Sequence, residues 1–140
     1  MPADALWSLW FRADTTENND ELQRLMQLEL TADDAGPVLA GLDALVARAP
    51  RFAEAFNQRA IAHFRNGAYA RSIADCEKAL RLNPCHFGAA SGMAQCFMKQ
   101  KKLRAALRTY RRANRINPRL DGVRDVIETL EKTLGEEGKR

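Results

Sequence analysis

Eight glycines and five prolines in 140 residues are too few for a collagen-like repeat or a low-complexity disordered chain. No apolar run approaches the roughly 18 residues that a membrane-spanning helix needs. Cysteine is scarce: Cys76, Cys85 and Cys96 are odd in number and form no C-x-x-C. That argues against a disulfide framework and for a reducing, cytoplasmic setting. The two histidines, His63 and His86, belong to no cluster with metal-ligand spacing, so neither a metal nor a cofactor is expected. The opening residues, MPADALWSLWF, lack a basic n-region and an A-x-A cleavage pattern, so no signal peptide is expected. Also missing are a G-x-S-x-G elbow, a glycine-rich phosphate loop and an H-E-x-x-H pair. Cys85 and His86 are neighbours, but adjacent side chains in a turn diverge, and no third orienting group is evident. The chain therefore reads as a non-enzyme.

What is present is an ordinary globular balance, 46 % hydrophobic and 29 % charged, with the charge unevenly placed. Residues 1–50 hold three basic and nine acidic residues, whereas 51–140 hold 19 and nine. From Lys99 to Arg119 nine basic residues occur without an acid. Such asymmetry suits an anionic partner, or self-association between the two halves.

A repeat organises the chain. Prolines stand at 50, 84 and 118, spaced 34 and 34. Each unit has the apolar spacing of two helices. Phe56, Ala60, Ile61 and Phe64 mark a helix over 53–66, which Asn66-Gly67 ends. A second follows from Tyr69 to Leu82, stopped by Asn83-Pro84 because proline disfavours helix in the residue before it. The next unit repeats this over 87–99 and 103–116. Ala60, Ala79, Ala94 and Ala113 stand where two antiparallel helices must approach closely.

These residues resemble the tetratricopeptide repeat (TPR) family. Ala90, Met93, Ala94 and Phe97, then Ala106, Tyr110 and Ala113, then Pro118 follow its pattern. The preceding unit follows it through Phe56, Ala60, His63, Ser72, Ala79 and Pro84, departing at Arg59 and Cys76. The resemblance implies an all-α, right-handed superhelix of antiparallel helix pairs in a single domain, 1–140. Its parts would be an N-terminal apolar helix (1–18), a degenerate repeat (19–52) with an irregular loop from Thr31 to Pro37, two repeats (53–86 and 87–120), and a capping helix with tail (121–140). Leu120, Val123, Val126, Ile127, Leu130 and Leu134 give the cap its apolar stripe, and Gly135 is expected to end it. The chain also resembles small bacterial TPR proteins, through its ALWSLWF opening, Asn57-x-Arg59-Ala60, Ser72-x-x-Asp75 and His86-Phe87-Gly88-Ala89.

In this family the first helix of each pair lines a concave groove. The resemblance therefore implies a site made by Asn57, Gln58, Ile61, Phe64 and Arg65 in one repeat and Ser91, Gln95 and Met98 in the next, with Gly88 and Gly92 beside them. Amides can hydrogen-bond an extended peptide backbone and Phe and Met give adaptable apolar contact. The expected function is a protein-interaction module or adaptor. The chaperone-tail clamp of some TPR proteins is not expected. Its positions hold Gln23, Gln27, Gln58, Gly88 and Gly92, without the cations that would grip a carboxylate.

Three further features compete with the groove. Arg59, Asp75 and His86 could form a polar cluster that recognises a ligand, or Arg59 and Asp75 could simply pair so that neither charge is buried alone. Arg104, Arg108, Arg111, Arg112 and Arg115 form a basic stripe expected on the convex face. It could dock an anionic partner such as nucleic acid, although the lack of interleaved aromatics weighs against nucleic acid. Leu6, Trp7, Leu9, Trp10 and Phe11 are expected to cap the first repeat. The alternatives are insertion into the groove of the same or another molecule, the latter giving a homo-oligomer.

Overall fold

The computed structural model describes residues 14–31, 33–119 and 121–138, the last three by backbone alone. Leu6, Trp7, Leu9, Trp10 and Phe11 therefore lie outside the described residues, as does Leu120. Seven helices and no strands occur among those described: α1 Thr16–Thr31, α2 Gly36–Arg48, α3 Ala53–Arg65, α4 Tyr69–Leu82, α5 Phe87–Lys99, α6 Leu103–Ile116 and α7 Val123–Gly138.

The ends follow local chemistry. Thr15 caps α1, its Oγ1 accepting from the Asn18 N–H at 3.2 Å. The first helix thus begins at Thr16, three residues ahead of the boundary expected for the repeat. The anticipated irregular loop is also shorter, because Pro37 sits in the first turn of α2, where a missing N–H costs nothing. After α3, Gly67 adopts φ +77 and the Ala68 N–H reaches back to the His63 carbonyl at 2.8 Å, closing a left-handed C-cap. Lys101 does the same after α5 with φ 60, and the Lys102 N–H bonds the Phe97 carbonyl at 2.9 Å. Asn83 and Asn117 each accept a backbone N–H two residues on, folding the chain over Pro84 and Pro118. Gly135 does not end α7, which continues to Gly138. Nothing lies within reach of Gly135, and its backbone is not left-handed, so it costs the helix only about 1 kcal/mol of propensity.

Consecutive helices pack against each other, and α1 also touches α3, and α3 touches α5. The first helices of the pairs therefore form the inner layer and α2, α4 and α6 the outer one. One core runs through Leu22, Leu25, Leu42, Leu45, Phe52 and the alanines of α3 to α5. A second joins Ala94, Leu107 and Tyr110 to Val123 and Leu130 of α7. Arg111 fastens the same helix from outside, donating to Glu131 at 2.8 Å. The architecture is an all-α helical-repeat superhelix whose inner layer carries the candidate site.

Candidate functional site

Between α3 and α5 the inner layer opens into a cleft of about 320 Å³. Asn57, Ala60, Ile61 and Phe64 form one wall, and Phe87, Gly88, Ser91, Gly92 and Gln95 the other. Ser72 and Cys76 of α4 close the floor. The walls converge because small residues line the seam. Ala60 and Ala94 are buried, and a Cβ built on Gly92 would meet only the Cys76 sulfur, at an ordinary 3.8 Å. The Ser72 hydroxyl donates to the Ala60 carbonyl at 2.7 Å and so ties floor to wall. Burial pushes the Cys76 thiol up to about 12, leaving it protonated and unreactive.

Of the residues expected in a groove, Asn57, Ile61, Phe64, Ser91 and Gln95 meet in this cleft. Gln58 does not: it is buried and donates to Glu54 at 2.8 Å. Arg65 turns away to α1, with Nη1 at 3.2 Å from the Glu29 carbonyl and 3.5 Å from its carboxylate. Together with Asp33 and Asp34 that pair lines a separate acidic hollow, where burial pushes the Glu29 carboxyl above its usual range. Met98 lies on the same inner layer beyond the cleft, 36 % exposed.

Two exposed side chains escaped sequence reasoning, one of them in the cleft. Phe87 is 37 % exposed and forms part of the cleft wall. Leu30, 77 % exposed, stands one period of 34 before Phe64, which stands one period before Met98. That spacing was the available signal. The four large hydrophobics exposed among the described residues, Leu30, Ile61, Phe87 and Met98, all lie on first helices.

The expected Arg59–Asp75–His86 cluster is split in two. Arg59 binds Asp75 through Nε at 2.8 Å and Nη2 at 2.7 Å, and reaches Asp43 of α2 at 3.1 Å. The hydrogen bonds that it donates to the Asp75 carboxylate hold the guanidinium above its usual pKa. His63 is 3.7 Å from Asp75, too far for a hydrogen bond, and Arg59 has taken both carboxylate oxygens. Burial therefore prevails and lowers the His63 pKa. His86 lies elsewhere, at the start of α5. It accepts the Ala89 N–H on Nδ1 at 3.1 Å, so its proton is on Nε2, which donates to Glu54 at 2.7 Å. Glu54 also receives Asn57 at 3.3 Å. This buried network holds the N-terminal ends of α3 and α5 together and orients the Asn57 amide. It also borders a small hollow of about 120 Å³, lined by Ala53, Cys85, Phe87 and Gly88 among others, which continues the cleft past Asn57.

A family model for the tetratricopeptide repeat matches residues 53–84. A TPR repeat-containing protein of Rhizobium etli is 33 % identical over 93 residues, covering 66 % of this chain and 46 % of that protein. Among solved structures, the first TPR of Spaghetti (RPAP3) bound to the HSP90 peptide SRMEEVD superposes with a TM-score of 0.79 at 18 % identity. That match covers 87 % of this chain and 96 % of the other. The chain carries a tetratricopeptide repeat at residues 53–84 within a TPR fold. The Sgt2 TPR domain from Aspergillus fumigatus also scores 0.79, at 16 % identity over 90 % of this chain and 84 % of that one. The TPR2B domain of yeast Sti1, in complex with pHsp70, scores 0.75 at 18 % identity over 85 % and 99 %. The matched stretch spans less than half of the Rhizobium etli relative.

The basic stripe of this TPR protein lies on α6, in the outer layer. Arg104, Arg108, Arg111 and Arg115 are exposed, but Arg111 is engaged with α7. Arg112 is half-buried and turns toward α4, where it shares a shallow depression with Glu77 and Arg81. The stripe is thus narrower than its sequence suggests. Among the described residues no group of three metal-ligating side chains exists, and no helix is long and apolar enough to cross a membrane.

Proposed function

We propose that this TPR protein is an interaction module that binds an extended peptide or protein segment in the cleft between α3 and α5. The observation that carries this is the lining: a concave cleft walled by exposed apolar side chains and by the amides Asn57 and Gln95, with no charged side chain among the described residues that line it. Such a surface suits one apolar anchor side chain flanked by peptide backbone. The fold is shared with TPR domains solved with chaperone peptides. The ligand class differs, because Gly88 and Gly92 open into the cleft where a cationic clamp would need lysine or arginine, and a free carboxylate would find no charge partner. Binding without chemistry fits the groups at hand. Cys76 is a protonated thiol, and both ring nitrogens of His86 are engaged. The three free cysteines suit a reducing, cytoplasmic compartment.

The test is selection of peptides from a displayed library on the wild-type chain, followed by binding to Asn57→Ala, Ile61→Asp, Gln95→Ala and Gly92→Leu. Selected peptides should carry an aromatic or aliphatic anchor and should lose affinity in all four variants while helicity is unchanged. Peptides that bind every variant equally would overturn the proposal. If binding instead vanished with added salt and with Arg104→Glu plus Arg108→Glu, the α6 stripe would be the interface.

A further inference from the structure

We propose that the cleft's resident occupant is the chain's own segment, residues 6–11, which docks its tryptophans there and must be displaced by any partner. This deepens the peptide-site reading and rests on it.

Three observations converge. First, direction: Arg65 near the end of α3 touches Glu29 near the end of α1, and Glu54 at the start of α3 touches His86 at the start of α5. The three first helices therefore run parallel, and the chain preceding Thr16 enters at the end of the layer where the hollow beside Asn57, Phe87 and Gly88 opens. Second, reach: helix axes are ~8–10 Å apart, so the cleft lies roughly 15 Å from α1. Trp10 stands six residues before Thr16, a span of up to ~20 Å when extended. Third, chemistry: the segment Leu-Trp-Ser-Leu-Trp-Phe is uncharged and five of its six side chains are large and apolar. The cleft is likewise uncharged and keeps Ile61 at 40 % and Phe87 at 37 % exposure, apolar surface that an aromatic side chain would cover.

The chain supplies its own reporter, since Trp7 and Trp10 are its only two tryptophans. In the full chain their emission should be blue-shifted and shielded from acrylamide. Ile61→Asp, at an exposed position that tolerates change, and Gly92→Leu, which fills the cleft, should each shift emission to the solvent value while helicity and mass stay those of the monomer. Solvent-exposed tryptophans in the wild type would overturn the proposal. So would shielded tryptophans that neither variant moves, the result for a cap over α1 and α2. Shielding that appears only with concentration and a doubled mass would also overturn it, the occupant then being a second copy. Binding of library-selected peptides separates this from the peptide-site reading. Under the proposal, Trp7→Ala with Trp10→Ala should tighten that binding at least about threefold, by freeing the competent state. Unchanged affinity that still depends on Gly92 would remove the self-docked state and keep the peptide site. No selectable peptide, with tryptophans that ignore both variants, would remove both.

Discussion

The first and second helix pairs meet the same packing problem with opposite chemistry. At one pair of positions, repeated every 34 residues, α1 and α2 place Leu25 against Gly41, where any Cβ would overlap the Leu25 methyls. At the equivalent place α3 and α4 set Arg59 against Asp75 in a two-pronged ion pair. The third pair holds Met93 and Thr109 there, both buried. The repeat thus demands a filled volume at this point and leaves the chemistry open. Arg59 and Asp75 fill that volume as a mutually satisfied ion pair, each charge held against its partner.

The largest effect should come from breaking the ion pair on one side. Asp75→Ala leaves the half-buried Arg59 guanidinium with only exposed Asp43, and should cost about 2–3 kcal/mol, read by urea denaturation. Replacing both partners, as Arg59→Met with Asp75→Thr, copies the third repeat into the second. It should come within about 1 kcal/mol of wild type, since paired removal leaves no orphan charge. A double variant as unstable as the single one would show that the charge itself is required.

Gly41→Ala should cost about 1–3 kcal/mol by forcing Leu25 aside in a filled core. Gly92→Ala, where a Cβ has room, should be neutral or stabilising by up to about 1 kcal/mol. A drop in melting temperature for the first and none for the second is the expected pattern.

Acid should act through His63. Burial holds its pKa below the usual 6.5, so the unfolded chain takes the proton first as pH falls. Stability present above that pH should decline below it, and His63→Asn should flatten this part of the profile measured by denaturation at stepped pH.

The smallest effect compares the two C-caps. Gly67 takes a left-handed backbone at no steric cost, whereas Lys101 takes it with a side chain. Lys101→Gly should gain about 0.5–1 kcal/mol, visible as a small rise in melting temperature.

Most of the fold could be read from residues that act locally. The 34-residue proline spacing, the alanines at the seams, Asn66-Gly67 and the Asn-Pro stops set the helix ends close to where they stand. Two ends resisted. Thr15 capped α1 earlier than the repeat period suggested, through one side-chain hydrogen bond, and Pro37 joined a helix instead of a loop, because a first-turn position needs no N–H. The site was legible in part. Asn57, Ile61, Phe64, Ser91 and Gln95 follow from repeat position, and they meet. Gln58 is taken up by Glu54 one turn earlier on the same helix, whereas Arg65 and His86 found partners on other helices, Glu29 and Glu54, which spacing along one helix cannot show. Leu30 shares the 34-residue period of Phe64 and Met98, and its exposure had to be seen.

The central claim is that the uncharged cleft between α3 and α5 is where this TPR protein holds its partner. Calorimetric titration of one library-selected peptide into the wild-type chain and into Gly92→Leu tests it most directly. Filling the cleft should weaken binding at least about tenfold, a loss of about 1.4 kcal/mol, while the melting temperature is held or raised. Equal affinity for both proteins would contradict the account and move the binding surface off the inner layer.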